Sequence, residues 1–555
     1  MIDLAKQGSQ TFVFGAVILM VSNILVKIIG AVFKIPLTNI IGVDGMAYFN
    51  AAYSIYVTLY NVSTSGLPVA ISRMVAAENA KSNLKAADRI FSVAFRLFFC
   101  IGLAGMLIMT LFADRFAAFC GLAQARLATV VIAPTLLFIC LSSACRGYFQ
   151  GLQNMVPTAV SNIIEAFGKL GIGLAAAWYF CLVKQYPLPE VAAFVISGVT
   201  VGVFAATVYI YIEKARFCRS EDFVKRLIDS EALVQSPQKS ILRELVVTAV
   251  PIVLASSVMG LTNTADTFLI ARRLAEAGLP TSAATSFYGT YSAMTVPLFN
   301  MIPPLIYPFA IGIIPALSAS ISKGDSKACA TQTTSAFRLA AIVAVPCAVG
   351  MCVLSGNIIS FLFSGSRREI VFGETTVTTT ALAAAALRIL APAIFFLGMI
   401  AITNAVLQAY RQERKTILST TAGIVVKILL TYWLSAVPDF GINGAAVGTA
   451  ACYFTVFALN LYFVIKYTHF VPRIRDVFLK PAVAGLLCGV AAVMAVKLLD
   501  GHMPDKLVTL AAILIAAFVY GAVLLVIRGV AREDLLMLPK GEKLCRVMDK
   551  CGLLG

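Results

Sequence analysis

Charge is what this chain has least of. Only 13% of its 555 residues are Asp, Glu, Lys or Arg, about half the share of a soluble globular protein. With 60% hydrophobic residues and a mean hydropathy of +0.89, disorder, collagen-like repeats and a small disulfide-stapled secreted domain are excluded. Histidine is nearly absent. His469 and His502 both fall in loops, which argues against a histidine-based metal or catalytic site. The thirteen cysteines include no CxxC pair, and most (Cys100, Cys140, Cys145, Cys347, Cys352, Cys452, Cys488) sit in apolar runs. They are expected to be small apolar packing residues, neither disulfides nor metal ligands. There is no Walker A pattern, and the longest polar loop has about thirty residues, so no ATP-binding domain is expected. The first apolar segment is too long for a signal-peptide core and is expected to be retained.

What is present is a succession of apolar runs. Stretches free of Asp, Glu, Lys and Arg extend over 45–72, 191–212, 389–410, 440–465 and 507–527. Each can cross a hydrocarbon core, which takes about 20 helical residues. With the shorter runs they predict an all-α polytopic membrane protein of about fourteen transmembrane helices. These lie at roughly 10–33, 47–70, 90–112, 127–151, 157–182, 191–212, 245–270, 286–318, 337–363, 379–407, 416–437, 441–465, 479–497 and 507–527. The runs are continuous, which argues against a membrane β-barrel. Residues 277–322 carry no charge and contain Pro297, Pro303, Pro304, Pro308 and Pro315. Proline interrupts the helical ladder, so one long broken helix is expected there.

The few charges are unbalanced: 44 Lys+Arg against 27 Asp+Glu, a net charge of +17. With both termini in the cytoplasm, 26 of the 44 basic residues fall on cytoplasmic segments, 9 on outer segments and 9 within spans. The positive-inside rule therefore favours a bacterial cytoplasmic membrane protein with both termini inside. The basic excess faces anionic membrane lipids and gives no reason to expect nucleic acid.

The chain also resembles itself. A shift of 258 residues lays Ala133-Pro134 on Ala391-Pro392, Gln150 on Gln408, Thr158 on Thr416, Ser161 on Ser419 and Lys169 on Lys427. Upstream, Asn23 and Asn263 match at 240. Two pseudo-symmetric six-helix lobes are predicted, 1–213 and 244–467, joined by a cytoplasmic linker at 214–243. Two further helices follow at 468–528, then a cytoplasmic tail at 529–555. Even numbers of helices make the repeats parallel, which predicts a substrate site between the lobes near the midplane.

Ionisable residues at membrane depth are costly and mark function. Arg96 and Arg146 lie near cytoplasmic span ends, where snorkelling explains them. Lys27, Glu165, Lys169, Asp266, Arg388 and Lys427 lie deeper. Glu165 and Lys169, four apart on one face, either neutralise one another or meet substrate; Asp266 has Lys27 as an alternative partner. The set leaves two cations in excess. Lys27 and Lys34 share a stripe of the first helix with Asn23. A cationic cavity for a phosphate-bearing anion follows, with Asn61 as a further polar candidate.

The segments VKIIGAVFKIPLTNIIGVDGMAYFNAAYSIY (26–56), SGLPVAISRMVA (65–76), RGYFQGLQNMVPTAVSNIIEAFGKL (146–170) and LQAYRQERKTI (407–417) resemble the polysaccharide-exporter family. The nearer likeness is to its stage V sporulation protein B-like branch, which includes MurJ-type lipid II flippases. The resemblance implies the multidrug/oligosaccharidyl-lipid/polysaccharide (MOP) exporter fold, as in MATE transporters, working by alternating access. It implies that Lys27 and Lys34 engage a diphosphate in the cavity and that the last two helices form a groove for the lipid tail. The Gram-negative pattern has a basic residue on helix 8; here none lies between Arg273 and Lys323, leaving Lys169, Arg388 or Lys427 to substitute.

The expected function is a flippase, not an enzyme, acting as a monomer on a polyprenyl-diphosphate-linked saccharide, with lipid II the leading cargo. A teichoic acid, capsular or exopolysaccharide intermediate fits the same features. A MATE-type drug/cation antiporter would want acids in the cavity, and the first span carries Lys27 and no acid. A non-transporting scaffold leaves the deep charges unexplained. No cofactor is implied; the membrane potential, H+ or Na+ would supply the drive. Broken helix 8 and the Gly147–Gly151 region are expected bending elements.

Overall fold

In hydrocarbon a backbone must satisfy its own hydrogen bonds, so apolar runs of this length fold as helices. The computed structural model describes residues 2–64, 66–221, 223–224, 237–372, 375–437, 440–468 and 475–531. His469, residues 225–236 of the expected linker and 532–555 of the expected tail lie outside them. Among the described residues twelve helices are long and apolar enough to cross a membrane. The chain is an all-α multi-pass membrane protein, and among the described residues it has one short antiparallel hairpin, Glu369–Phe372 against Thr375–Thr378.

The first of the twelve, Val21–Asn61, is a helical hairpin. Its helix is broken at Gly42, where φ is 69° and ψ is −179°, a conformation essentially reserved for glycine. The Phe33 and Phe49 rings lie 6.0 Å apart, whereas sixteen residues of unbroken helix would separate them by about 24 Å. The chain therefore folds back on itself at Gly42. The helix Gln238–Glu276 is not among the twelve.

The proline-rich stretch is one broken helix, as the sequence suggests. It runs Thr281–Thr290, passes through a π-helical turn at Tyr291–Thr295, continues as Val296–Asn300 and restarts as Pro303–Ser322. Thr295 donates to the Ala383 carbonyl, and farther on Ile306 approaches Gly398. Both sides advance along helix Thr379–Ala409 in the same direction, so the stretch does not turn back.

The fold divides into two compact units, Met1–Arg272 and Arg273–Gly555. Internal repetition is visible in where helices begin and end. Helix Leu84–Leu111 reappears as Ser326–Val353, 242 residues later at both ends. Asn83 caps the first by accepting from Ala86 N, and Asp325 caps the second by accepting from Ala328 N. Helix Val156–Ala177 reappears as Glu413–Leu434, 257 residues later at both ends. Left-handed residues recur with it: Ser82 and Gly324, Gln153 and Arg411, Gln185 and Gly441. The offset grows because the second unit holds an insertion, and that insertion carries the β-hairpin. This is why no single shift aligned the whole sequence.

The last two helices, Lys480–Leu499 and Asp505–Val526, have no counterpart among the described residues of the first unit. Ala484, Cys488, Ala492, Ala512 and Ala516 pack inward with Leu354 and Val353, and Tyr520 donates to the Ile342 carbonyl at 2.9 Å. Leu486, Val490, Met494, Leu514 and Phe518 remain exposed, an apolar face suited to lipid. Both tryptophans, Trp178 and Trp433, are exposed near the C-terminal ends of the matched helices, the placement of an interfacial aromatic belt.

Gly147 and Gly151, expected as bending elements, lie in close helix packing. A Cβ on Gly147 would stand 2.8 Å from Pro68 O, and one on Gly151 2.6 Å from Val75 Cβ. Both are small because helix Leu67–Ala80 passes directly against them.

Candidate functional site

Helices Val156–Ala177 and Leu188–Cys218 touch through glycine. A Cβ on Gly168 would collide with the Gly202 Cα, and one on Gly198 would come 2.6 Å from Gly173 N. Such small residues let backbones approach where lipid supplies no hydrophobic drive. Gly173 also receives the Phe33 ring, whose Cε2 would lie 2.8 Å from an added Cβ. Ser22 donates to the Ala159 carbonyl at 2.9 Å. The first hairpin is thus pressed against the helix that carries Glu165 and Lys169.

A cavity of about 110 Å³ opens there, with Gly30, Phe33, Tyr53, Tyr56, Asn162, Glu165 and Lys169 in its wall. The two charged residues do not pair with one another. Glu165 accepts from Arg146 Nη2 at 3.1 Å, and Arg146 also donates to Ser161 Oγ at 2.8 Å. Lys169 Nζ lies 4.4 Å from the centre of the Tyr53 ring and 5.2 Å from that of Phe33, and donates to Tyr53 Oη at 3.4 Å. An ammonium on aromatic faces is stabilised by about 0.5–2 kcal/mol, without the neutralisation a carboxylate would give. Phe49, Tyr53, Tyr56 and Tyr60 continue as a row of rings along the returning helix, neighbours 5.8–6.0 Å apart.

The structure gathers several predicted residues around this cavity. Lys27 is exposed on the first helix and, like Glu165, within electrostatic reach of Tyr53. Lys34 is half-buried, its charge opposed by that of Lys169. Asn23 accepts from Asn162 at 3.5 Å, the long limit of a hydrogen bond. Asn61 is half-buried farther along the second arm, and Asp266 is buried in the same unit. No ion pair joins Lys27 to Asp266 among the described residues. In the second unit Lys427 occupies the place of Lys169 and is 1% exposed, while Arg388 is exposed and its carbonyl accepts from the Cys352 thiol. The side chain of Asn263 lies outside the description.

Two features are not legible in the linear spacing of charges. Arg146 does not snorkel: its side chain is 12% exposed and bound to Glu165 and Ser161. The guanidinium on the neighbouring helix is the cation that packing brings within reach of the carboxylate, and the same planar group also holds Ser161. The aromatic partners of Lys169 carry no charge signal, although the spacing of Phe49, Tyr53, Tyr56 and Tyr60 marks one helical stripe. In the second unit, Asn460 donates to Asn404 at 2.7 Å and to Thr403 at 3.2 Å. A search for charges alone passes over that uncharged network.

Two repeated helical lobes, two additional helices and a cationic, aromatic cavity at membrane depth define a multi-pass transporter. The protein's sequence from 12 to 321 matches the polysaccharide biosynthesis protein family, and the chain belongs to it. It is 25% identical to stage V sporulation protein B of Bacillus subtilis (strain 168) over 539 residues, 96% of this chain and 98% of that one. It is also 25% identical to the lipid II flippase MurJ of the same organism over 538 residues, 93% and 95% of the two chains. Its fold resembles a lipid II flippase MurJ in an inward closed conformation, with TM-score 0.62, 17% identity and coverage of 92% and 98%. An inward-facing MATE family transporter of the MOP superfamily also has TM-score 0.62, at 14% identity and coverage of 80% and 95%. The expected MOP-type fold is therefore the observed one.

Proposed function

We propose that the protein is a flippase that carries a polyprenyl-diphosphate-linked saccharide from the inner to the outer leaflet of a bacterial cytoplasmic membrane. Alternating access moves the cargo, and both termini are cytoplasmic. The observation that supports this reading is the division of labour between Glu165 and Lys169. Arg146 occupies the carboxylate, so the lysine keeps its charge for an incoming anion. A diphosphate loses its hydration on entering the membrane, and fixed cations with hydroxyl donors offset that cost. Lys169, Lys34 and Lys27 supply the charge, and Tyr53 supplies a hydroxyl. Lys427 and Arg388 are the corresponding candidates in the second unit.

Lipid II is the leading cargo, because a lipid II flippase is among the relatives aligned over nearly the whole chain. The second reading, a teichoic, capsular or exopolysaccharide intermediate, draws on the match to the polysaccharide biosynthesis protein family. The drive comes from the membrane potential or an H+ or Na+ gradient, and the protein works as a monomer. The experiment is replacement of the native flippase in a bacterium depleted of it. Restored outward exposure of lipid II is the expected result. Normal membrane expression without restoration removes lipid II as cargo.

A further inference from the structure

The second unit departs from its repeat in two places, the insertion bearing the β-hairpin and the two extra helices. The two additions meet around a cavity of about 790 Å³. Arg367 comes from the insertion, Asp500 from the turn between the extra helices, and Asp505 and Lys506 from the first turn of the last helix; Asn357, Ser360 and Phe361 come from helix Ser355–Leu362 of the lobe itself. The insertion is pinned, not loose. Buried Thr379 donates through Oγ1 to the Ser366 carbonyl at 2.8 Å and accepts from Arg368 N at 3.1 Å. Those two bonds fix the residues on either side of Arg367, whose side chain lies in the cavity wall. The opposite wall is set by Gly501 at φ 76° and by Pro504, which starts the last helix.

The chemistry of this wall differs from that around Lys169. Two cations and two carboxylates cancel, so a net anion gains nothing by entering. What remains is a dense set of amide, hydroxyl and charged hydrogen-bonding groups with one aromatic ring, in a volume within the usual 300–1,000 Å³ of ligand sites. An uncharged polyol suits that combination, with hydroxyls for the forked polar groups and a ring face for Phe361. We infer that this cavity is a saccharide-binding site, separate from the cationic cavity. It receives the sugar headgroup at the end of the protein where the β-hairpin and the turn at 499–505 lie. The substrate class rests on the flippase reading. The position rests on the cavity.

The test is calorimetric titration of the full-length protein in lipid nanodiscs with N,N′-diacetylchitobiose, and separately with inorganic pyrophosphate. Saturable disaccharide binding with Kd of about 1 mM or tighter is expected. Arg367→Ala and Asn357→Ala should each weaken it at least tenfold. Ala381→Trp, which fills the cavity from an exposed wall position, should abolish it. Lys169→Ala should leave it unchanged, and thermal unfolding of each variant should match the parent. Absent saturable binding, binding indifferent to all three cavity variants, or pyrophosphate binding with the same variant sensitivity each overturns the site. A parallel flipping assay keeps the two proposals apart. Disaccharide binding of the expected pattern without flipping of any lipid-linked saccharide removes the transport reading; flipping without disaccharide binding removes this site.

Discussion

Lys169 rests on Tyr53, its ammonium 4.4 Å from the ring centre and 3.4 Å from the hydroxyl, with Glu165 one turn away committed to Arg146. A cation held by a ring is stabilised yet still able to exchange partners. That is what a carrier needs from a group that must bind an anion and then release it.

The first expectation concerns the ion pair. Arg146→Ala should destabilise the fold by about 1.5–3 kcal/mol, the range of a hydrogen bond to a charged group, read as lowered thermal stability in detergent. The swap Arg146→Glu with Glu165→Arg should recover most of that loss. The swap Glu165→Lys with Lys169→Glu should not, since it places a lysine beside Arg146. Recovery by the second swap instead of the first would contradict the pairing seen here.

Aromatic support of Lys169 is tested by the hydroxyl and the ring in turn. Tyr53→Phe keeps the ring and loses the hydroxyl, and should lower flipping activity less than loss of the whole ring does. Tyr53→Leu removes both and should lower activity about fivefold or more, as loss of a cation–π contact of about 1 kcal/mol or more implies. Equal activity of the two variants would show that the ring is not what holds the lysine.

Lys27→Ala should abolish flipping of the lipid-linked substrate while the protein still inserts and unfolds at its normal temperature. Full activity in that variant would end the cationic-cavity mechanism.

Packing through glycine gives a stability prediction. Gly202→Ala puts a methyl 2.8 Å from Glu165 O and 3.1 Å from Lys169 N. Overpacking of this kind costs about 1–3 kcal/mol. Thermal stability should fall and activity with it, because the same contact positions both charged residues.

Backbone strain runs the other way. Gln153 has φ 60° and Arg411 has φ 57° at matching places in the repeat. Gln153→Gly relieves a left-handed conformation that costs a side-chain-bearing residue about 1–2 kcal/mol, less glycine's larger entropy loss. A gain of about 0.5–1 kcal/mol in stability is expected from unfolding measurements.

Much of the architecture could be read directly from the residues. Charge-free runs of 20 or more residues become helices because lipid permits little else. The paired lysines at 169 and 427 revealed the repeat because a lysine in an apolar helix is too costly to recur by accident. The broken helix at Thr281–Ser322 followed from its prolines. The fold-back at Gly42 and the packing roles of Gly147 and Gly151 did not follow. A glycine letter does not say whether it serves a turn, a bend or a close neighbour.

Charge pattern along the chain determined that the protein crosses the membrane many times, repeats itself and carries cations at depth. Only the tertiary structure decided which partner each charge takes. Glu165 and Lys169 are neighbours on one helix, but Arg146, Tyr53 and Phe33 arrive from other helices. Their approach is set by glycines that let backbones touch. Pairing energy falls steeply with distance in a low-dielectric interior, so the winner is whichever group packing brings nearest. Linear spacing alone does not contain that information.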